Sequence, residues 1–124
     1  MNNLLLLAAA LLCLLGVAHS YLGERYILIR LFRRNDLPAL LGNDAFTKQT
    51  LRFAWHVTTV LAFGFAAILL VLASPDREGG RNIATIISAT CALCGIVAFI
   101  GSRGRHLSWI AFFAIAALTW FGRS

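Results

Sequence analysis

Four long stretches of the chain contain no Asp, Glu, Lys or Arg, and apolar residues dominate each of them. Inside a bilayer core of about 30 Å such a stretch must satisfy its own backbone hydrogen bonds, and an α-helix of about 20 residues does so. Alternation with a period of two residues, which is typical of membrane β-strands, is absent. The pattern predicts an all-α fold, a four-helix transmembrane bundle. The predicted spans are about 4–22, 53–74, 82–102 and 106–122.

The segments between these spans differ in length. The first, 24–52, is long and charged, and it mixes aromatic and apolar residues with arginines up to Arg34. That mixture predicts a short interfacial helix between helices 1 and 2, before breaks at 35–38 and 42–44, with Asp44 as the N-cap of helix 2. The other two segments are short turns, so helices 2, 3 and 4 should be antiparallel neighbours. A single integral membrane domain, 1–124, follows.

The basic residues are distributed unevenly between the two sides. Of the eleven bases, eight lie in or beside the first and third loops, which share one side if there are four spans. Because positive charge is retained in the cytoplasm, the bias predicts a multi-pass protein of the cell inner membrane with 24–52 as a cytoplasmic loop and both termini periplasmic. The net charge of +6 is then mainly a topology signal, and no nucleic-acid partner is expected. The expected partners are the lipid bilayer, its anionic headgroups and other membrane proteins.

Composition excludes some classes of protein. Hydrophobic residues make up 60% of the 124 positions and charged residues 13%, which excludes a disordered chain and argues against a small soluble enzyme. A cleaved secretory signal is an alternative for the first helix, because Ala18-His19-Ser20 has the spacing of a cleavage site. We expect a retained helix, since no base precedes Leu4 and cleavage would place six bases outside.

Two histidines are the candidate ligand-binding residues. His19 and His56 lie at matched depth near the inner ends of helices 1 and 2. Such a pair could hold haem b through both imidazoles, bind a quinone, or form a proton path with Glu24. The simpler interpretation is that each histidine hydrogen-bonds to a neighbouring helix or a headgroup. No metal site is expected.

The same inner end carries a predicted polar cluster formed by Glu24, Arg25, Arg52 and Trp55. No residue is predicted to be catalytic, because the chain lacks a Ser-His-Asp set, a glycine-rich phosphate loop and a His-Glu-x-x-His spacing. Helix 3 carries small residues at four-residue spacing and is expected to be the buried centre of the bundle. The aromatic residues of helix 4 are expected to face lipid or the interface; they are Trp109, Phe112, Phe113, Trp120 and Phe121.

Two segments carry a resemblance to known sequences. Residues 18–25, Ala-His-Ser-Tyr-Leu-Gly-Glu-Arg, followed by Arg52-Phe-Ala-Trp-His56, resemble a pattern in an uncharacterised family of small four-helix bacterial inner-membrane proteins with no assigned activity. The resemblance covers about a third of the chain. It implies a compact membrane protein and directs attention to the inner ends of helices 1 and 2.

Three functional hypotheses follow. The first is a non-enzymatic membrane protein that acts as an accessory or assembly partner. The second is a small redox membrane protein that binds haem or quinone through His19 and His56. The third is a small transporter, ranked last because histidine is the only ionisable residue type within any predicted span.

Overall fold

The computed structural model describes residues 3–74 and 79–121, which form four helices and, within those ranges, no strand. The helices are α1 (Asn3–Leu31), α2 (Ala45–Ala73), α3 (Gly79–Ser102) and α4 (Ser108–Phe121). The all-α prediction is therefore confirmed. Pro75, the first half of the predicted turn 76–81 and both chain ends lie outside the described residues.

Helix α1 is one continuous helix that extends well past the predicted end of its span. It is α-helical over Asn3–Leu22, winds as a π-helix over Gly23–Leu28 and returns to α over Ile29–Leu31. The prediction of a separate interfacial helix between helices 1 and 2 is thus wrong. The segment that connects α1 to α2 is 32–44 rather than 24–52. The physical reason is that a charge such as Glu24 ends a membrane span without ending a helix. No helix-breaking proline occurs before Pro38.

Helix α2 begins where the sequence predicts, at Ala45 after Asp44. The side chain that caps it belongs to the previous residue, since Asn43 Oδ1 accepts the Ala45 N–H at 2.9 Å. Asp44 makes no side-chain capping bond and pairs instead with Lys48 at 2.6 Å, one helical turn along. The predicted boundary is right, and the predicted capping side chain is wrong by one residue.

Helix α3 ends in a Schellman-type cap that turns the chain into α4. The Gly104 N–H donates to Phe99 O at 2.8 Å and the Arg103 N–H donates to Ile100 O at 3.2 Å. Helix α4 then begins at Ser108 and has only 14 residues, about 21 Å of helix. Three helices, α1 to α3, are long and apolar enough to cross a membrane, and α4 is a shorter apolar helix.

The helices pack in chain order, α1 on α2, α2 on α3 and α3 on α4. Within the described ranges α1 has no backbone neighbour on α3 or α4, so helices α2 and α3 share the centre and α3 alone is not the core. A small buried cluster joins them; it consists of Phe53, Val57, Cys94 and Ala98. The predicted small-residue packing is confirmed at Ser88, which donates to Ala116 O of α4 at 2.8 Å.

The aromatic residues of α4 divide between packing and exposure. Trp109 and Phe112 pack against the core cluster, and the Trp109 ring meets Phe99 edge-on at 5.2 Å, so the lipid-facing alternative is wrong for these two, while the interfacial position of Trp109 stays a prediction. Trp120 and Phe121 are exposed, as predicted. Trp109 lies in the first turn of α4, where the adjacent end of α3 is close enough to cover its ring.

Candidate functional site

Two pairs of polar residues face each other where α1 and α2 meet near the arginine-rich end. Ser20 and Glu24 are one turn apart on α1, and Arg52 and His56 are one turn apart on α2. Glu24 Oε1 pairs with Arg52 Nη2 at 2.9 Å, while Glu24 Oε2 lies 3.2 Å from His56 Nε2. Ser20 Oγ lies 2.5 Å from His56 Nδ1. The Glu24 carboxylate therefore contacts both Arg52 and His56, which lie on successive turns of α2.

These distances specify how His56 is used. When the Nε2 proton is donated to Glu24, Nδ1 is the acceptor, and the Ser20 hydroxyl donates to it. Both ring nitrogens of His56 are then occupied by α1. The arrangement fixes the rotation of α2 about its axis, because the ring must meet a hydroxyl and a carboxylate one turn apart.

Trp55 packs its ring directly on the backbone and a side chain of α1. Its ring stacks on His19 with centroids 4.6 Å apart and planes 5° apart, and its indole N–H donates to His19 O at 2.9 Å. Gly23 lies one turn after His19, and a Cβ added there would sit 2.0 Å from Trp55 Nε1. Only glycine leaves room for the indole at this position. The π-helix begins at the same residue.

His19 is held by α2 as well. Thr58 Oγ1 lies 2.8 Å from His19 Nε2 and 2.6 Å from Trp55 O. Since the hydroxyl has one hydrogen and the carbonyl can only accept, the consistent arrangement has Thr58 donating to Trp55 O and accepting from His19 Nε2–H. The polar face of α1 and the polar face of α2 thus bond to each other at two levels.

The contacts of the two histidines do not fit the predicted haem or quinone site. A bis-histidine iron needs one free nitrogen lone pair from each ring. His56 has none left beside Ser20 and Glu24, and His19 retains only Nδ1. A quinone carbonyl would need an N–H donor, yet both Nε2–H groups already donate. The geometry favours the hydrogen-bonding interpretation, and no redox chemistry is derived from this pair.

The structure brings together Glu24, Arg52, Trp55, His19 and His56 from the sequence prediction and leaves out Arg25. Although Arg25 follows Glu24 in the chain, its side chain is exposed and takes no part in the hydrogen bonds or ion pairs given above. Sequence reasoning missed two participating residues, Ser20 and Thr58, whereas the resemblance had already directed attention to Gly23. The spacing of Ser20 and Glu24, which matches that of Arg52 and His56, is the signal that could have identified the first.

In the part of the chain that the structure describes, His, Cys, Asp and Glu nowhere gather in groups of three that could hold a metal ion. Comparison with known proteins gives no family model, no curated protein and no solved structure that matches the chain. The resemblance of residues 18–25 and 52–56 to small bacterial membrane proteins therefore stays a prediction. The site has to be interpreted from its own geometry.

Proposed function

We propose that this chain is a multi-pass integral membrane protein, with four spans, that acts as a non-enzymatic accessory or assembly partner of a larger membrane complex. The observation that carries the first part is the exposed apolar surface of the three long helices. In their apolar windows only 11% of α1, 28% of α2 and 22% of α3 is buried inside the protein. Water would not tolerate that much exposed leucine, isoleucine and phenylalanine, whereas lipid does.

The orientation is proposed from the position of the bases. Five bases at one end of the packed helices belong to the folded elements or their caps: Arg25, Arg30, Lys48, Arg52 and Arg103. The ends of α1 and α3 and the beginnings of α2 and α4 share that end, because each helix packs antiparallel on its chain neighbour. Cytoplasmic retention of this end would place both termini in the periplasm. Helix α4 would span by local thinning of the bilayer around its 14 residues.

A retained first helix is supported by its contacts. Cleavage after Ser20 would remove the ring that stacks on Trp55 and the hydroxyl that bonds His56. It would also uncover the face of α2 that packs on α1. We therefore treat α1 as part of the working protein.

The accessory role is supported by how the polar cluster is used. Both oxygens of Glu24 and both ring nitrogens of His56 bond to neighbouring side chains, so the cluster fastens α1 to α2 and offers few groups to a substrate. Helix α1 lies at one edge of the row of helices and has the lowest buried share of the three long helices. That edge is the surface on which another membrane protein would pack.

Membrane extraction and reporter fusions test the location. Carbonate and urea washing should leave the protein in the membrane pellet, and release by either wash would reject the proposal. A periplasm-dependent reporter fused after Ser124 should be active, and one at Gly42 should be silent. Equal activity at both positions would contradict the four-span orientation.

Crosslinking tests the accessory role. Cys13 is exposed on α1 whereas Cys94 is buried, so a variant in which Cys91 and Cys94 are alanine carries one outward thiol on the edge helix. A benzophenone maleimide coupled to this thiol should, on irradiation, link the chain to a different membrane protein by insertion into a C–H bond of that protein. The matched control, Cys13→Ala with the other two cysteines retained, should give no such product. Recovery of the uncrosslinked chain alone would contradict an assembly role.

A further inference from the structure

A cavity of about 500 Å³ opens between α2 and α3 at the basic end of the protein. This volume lies within the range of about 300–1,000 Å³ that is usual for small-molecule sites. Five polar side chains line part of it: Lys48, Gln49, Arg52, His56 and Arg103. Ile96 and Ile100 of α3 line another part and are themselves partly exposed. The cavity thus joins a cationic mouth to an apolar wall.

The charges around the mouth do not balance. Lys48 pairs with Asp44 at 2.6 Å, and Arg52 pairs with Glu24 at 2.9 Å. Arg103 has no ion pair in the described part of the chain. Three cations facing two carboxylates leave an excess of one positive charge, which matches the single negative charge of a phosphodiester.

Arg103 has a backbone conformation that is unfavourable for a residue with a side chain. Arg103 has φ = 51° and occupies the left-handed position of the α3 cap, where glycine is preferred. An L-residue with a long side chain is costly here. Strained backbone is a reason to look for a function of the residue, and Arg103 lines the cavity, whereas Leu41, the other described non-glycine residue with positive φ, does not.

Gln49 adds a buried polar atom without a partner. Its Oε1 is shielded from solvent and accepts no hydrogen bond within the described residues. Because Gln49 lines the cavity, a ligand that brings a hydroxyl donor could satisfy this oxygen. A glycerol-type headgroup has such a hydroxyl next to its phosphate.

We infer that this cavity binds one anionic phospholipid, with its phosphodiester at Arg103, Arg52 and Lys48 and one acyl chain along Ile96 and Ile100. The inference rests on the proposed membrane location, which supplies the ligand from the surrounding leaflet. The arginines give charge-assisted hydrogen bonds to phosphate oxygens, and the isoleucines extend the contact toward the middle of the helix. The bound lipid would fill the gap between α2 and α3.

Lipid titration followed by native mass spectrometry tests the inference on the full chain, purified and delipidated in detergent. One dioleoyl phosphatidylglycerol should bind at least about tenfold more tightly than dioleoyl phosphatidylethanolamine, whose headgroup is zwitterionic. Arg103→Gln should weaken that binding about fivefold, and Arg103→Lys should restore most of it. Arg105→Gln is the matched control in the same connection, because Arg105 does not line the cavity, and it should bind as the wild type does.

Three results would overturn the inference. They are equal affinity for the two lipids, an unchanged affinity in Arg103→Gln, and an equal loss in Arg105→Gln, which would indicate a diffuse basic surface. Displacement of the lipid by excess inorganic phosphate would assign the site to a free anion and so reject the lipid, whereas failure to displace it supports the lipid. Arg103→Gly, which relieves the backbone strain, should keep its melting temperature in lipid-free detergent while losing lipid affinity. Affinity retained by that variant would also reject the site.

The membrane location is tested separately by carbonate extraction of the same wild-type protein. Release from the pellet would reject the proposed function. A protein that stays in the membrane but shows no lipid preference would reject only the cavity assignment.

Discussion

Gly23→Ala places a methyl group where the Trp55 indole lies. The added Cβ would be 2.0 Å from Trp55 Nε1 and 2.3 Å from Cε2, far inside ordinary contact distance. The indole is a rigid ring without a flexible end, so it can relieve the overlap only by moving as a whole. Moving it separates the ring from His19 and breaks the N–H bond to His19 O. A single methyl group should therefore loosen the contact between α1 and α2.

The cost follows from the two contacts that are lost. An aromatic stack contributes about 0.5–1.5 kcal/mol beyond burial, and a hydrogen bond contributes about 0.5–1.5 kcal/mol net. Their loss totals about 1–3 kcal/mol. Alanine is favoured over glycine in a helix by about 1 kcal/mol, which partly hides the effect in the single variant. A double-mutant cycle with Trp55→Ala removes this helix preference from the result, because it is the same in both backgrounds.

The assay is reversible unfolding by sodium dodecyl sulfate in mixed micelles, followed by circular dichroism. Gly23→Ala should lower the free energy of unfolding by about 1–3 kcal/mol more in the wild-type background than in the Trp55→Ala background. Gly79→Ala is the control, since the nearest atom to its added Cβ is 4.0 Å away, and it should cost nothing. A coupling below about 0.5 kcal/mol, the usual limit of additivity, would refute the contact between Gly23 and Trp55.

Three further outcomes are expected. Ser88→Ala removes the bond to Ala116 O (2.8 Å) and should lower the free energy of unfolding by about 0.6–1.7 kcal/mol in the same assay; no loss would contradict the bond. Arg34 holds the pKa of Asp36 at about 2, below its usual value, so the pair is complete above about pH 4 and its stabilisation is lost as pH falls through about 2. Carboxyl NMR shifts should show that midpoint and move toward 4 in Arg34→Gln. Purified protein incubated with haem should give the broad spectrum of free haem in the same detergent, and a sharpened, shifted Soret band that is lost in His56→Ala would support the haem alternative.

The sequence predicted the all-α class and the start of α2, because both depend on residues that are close together in the chain: uninterrupted apolar stretches for the helices, and the residues before Ala45 for the start. It misplaced the end of α1 because the first charged residue indicates where a membrane span would end. The end of the helix itself depends on where its backbone hydrogen bonds are interrupted. Residues 24–31 contain no proline or glycine, so nothing in them interrupts the helix. The extent of α1 was therefore readable from the chain once charge and helix breaking were considered separately.

The position of the polar cluster along the helices was predictable from the sequence, but the directions in which its side chains point were not. Residue spacing gives the height of His19 and His56, but rotation about each helix axis depends on packing, and the π-helix at Gly23 changes the face that later residues present. His56 is the informative residue, since it lies deeper than Arg52, the last base of its stripe. A polar ring at that depth needs partners from a neighbouring helix. Only a helix that continues through Glu24 delivers them, so the extension of α1 and the bonding of His56 have one cause.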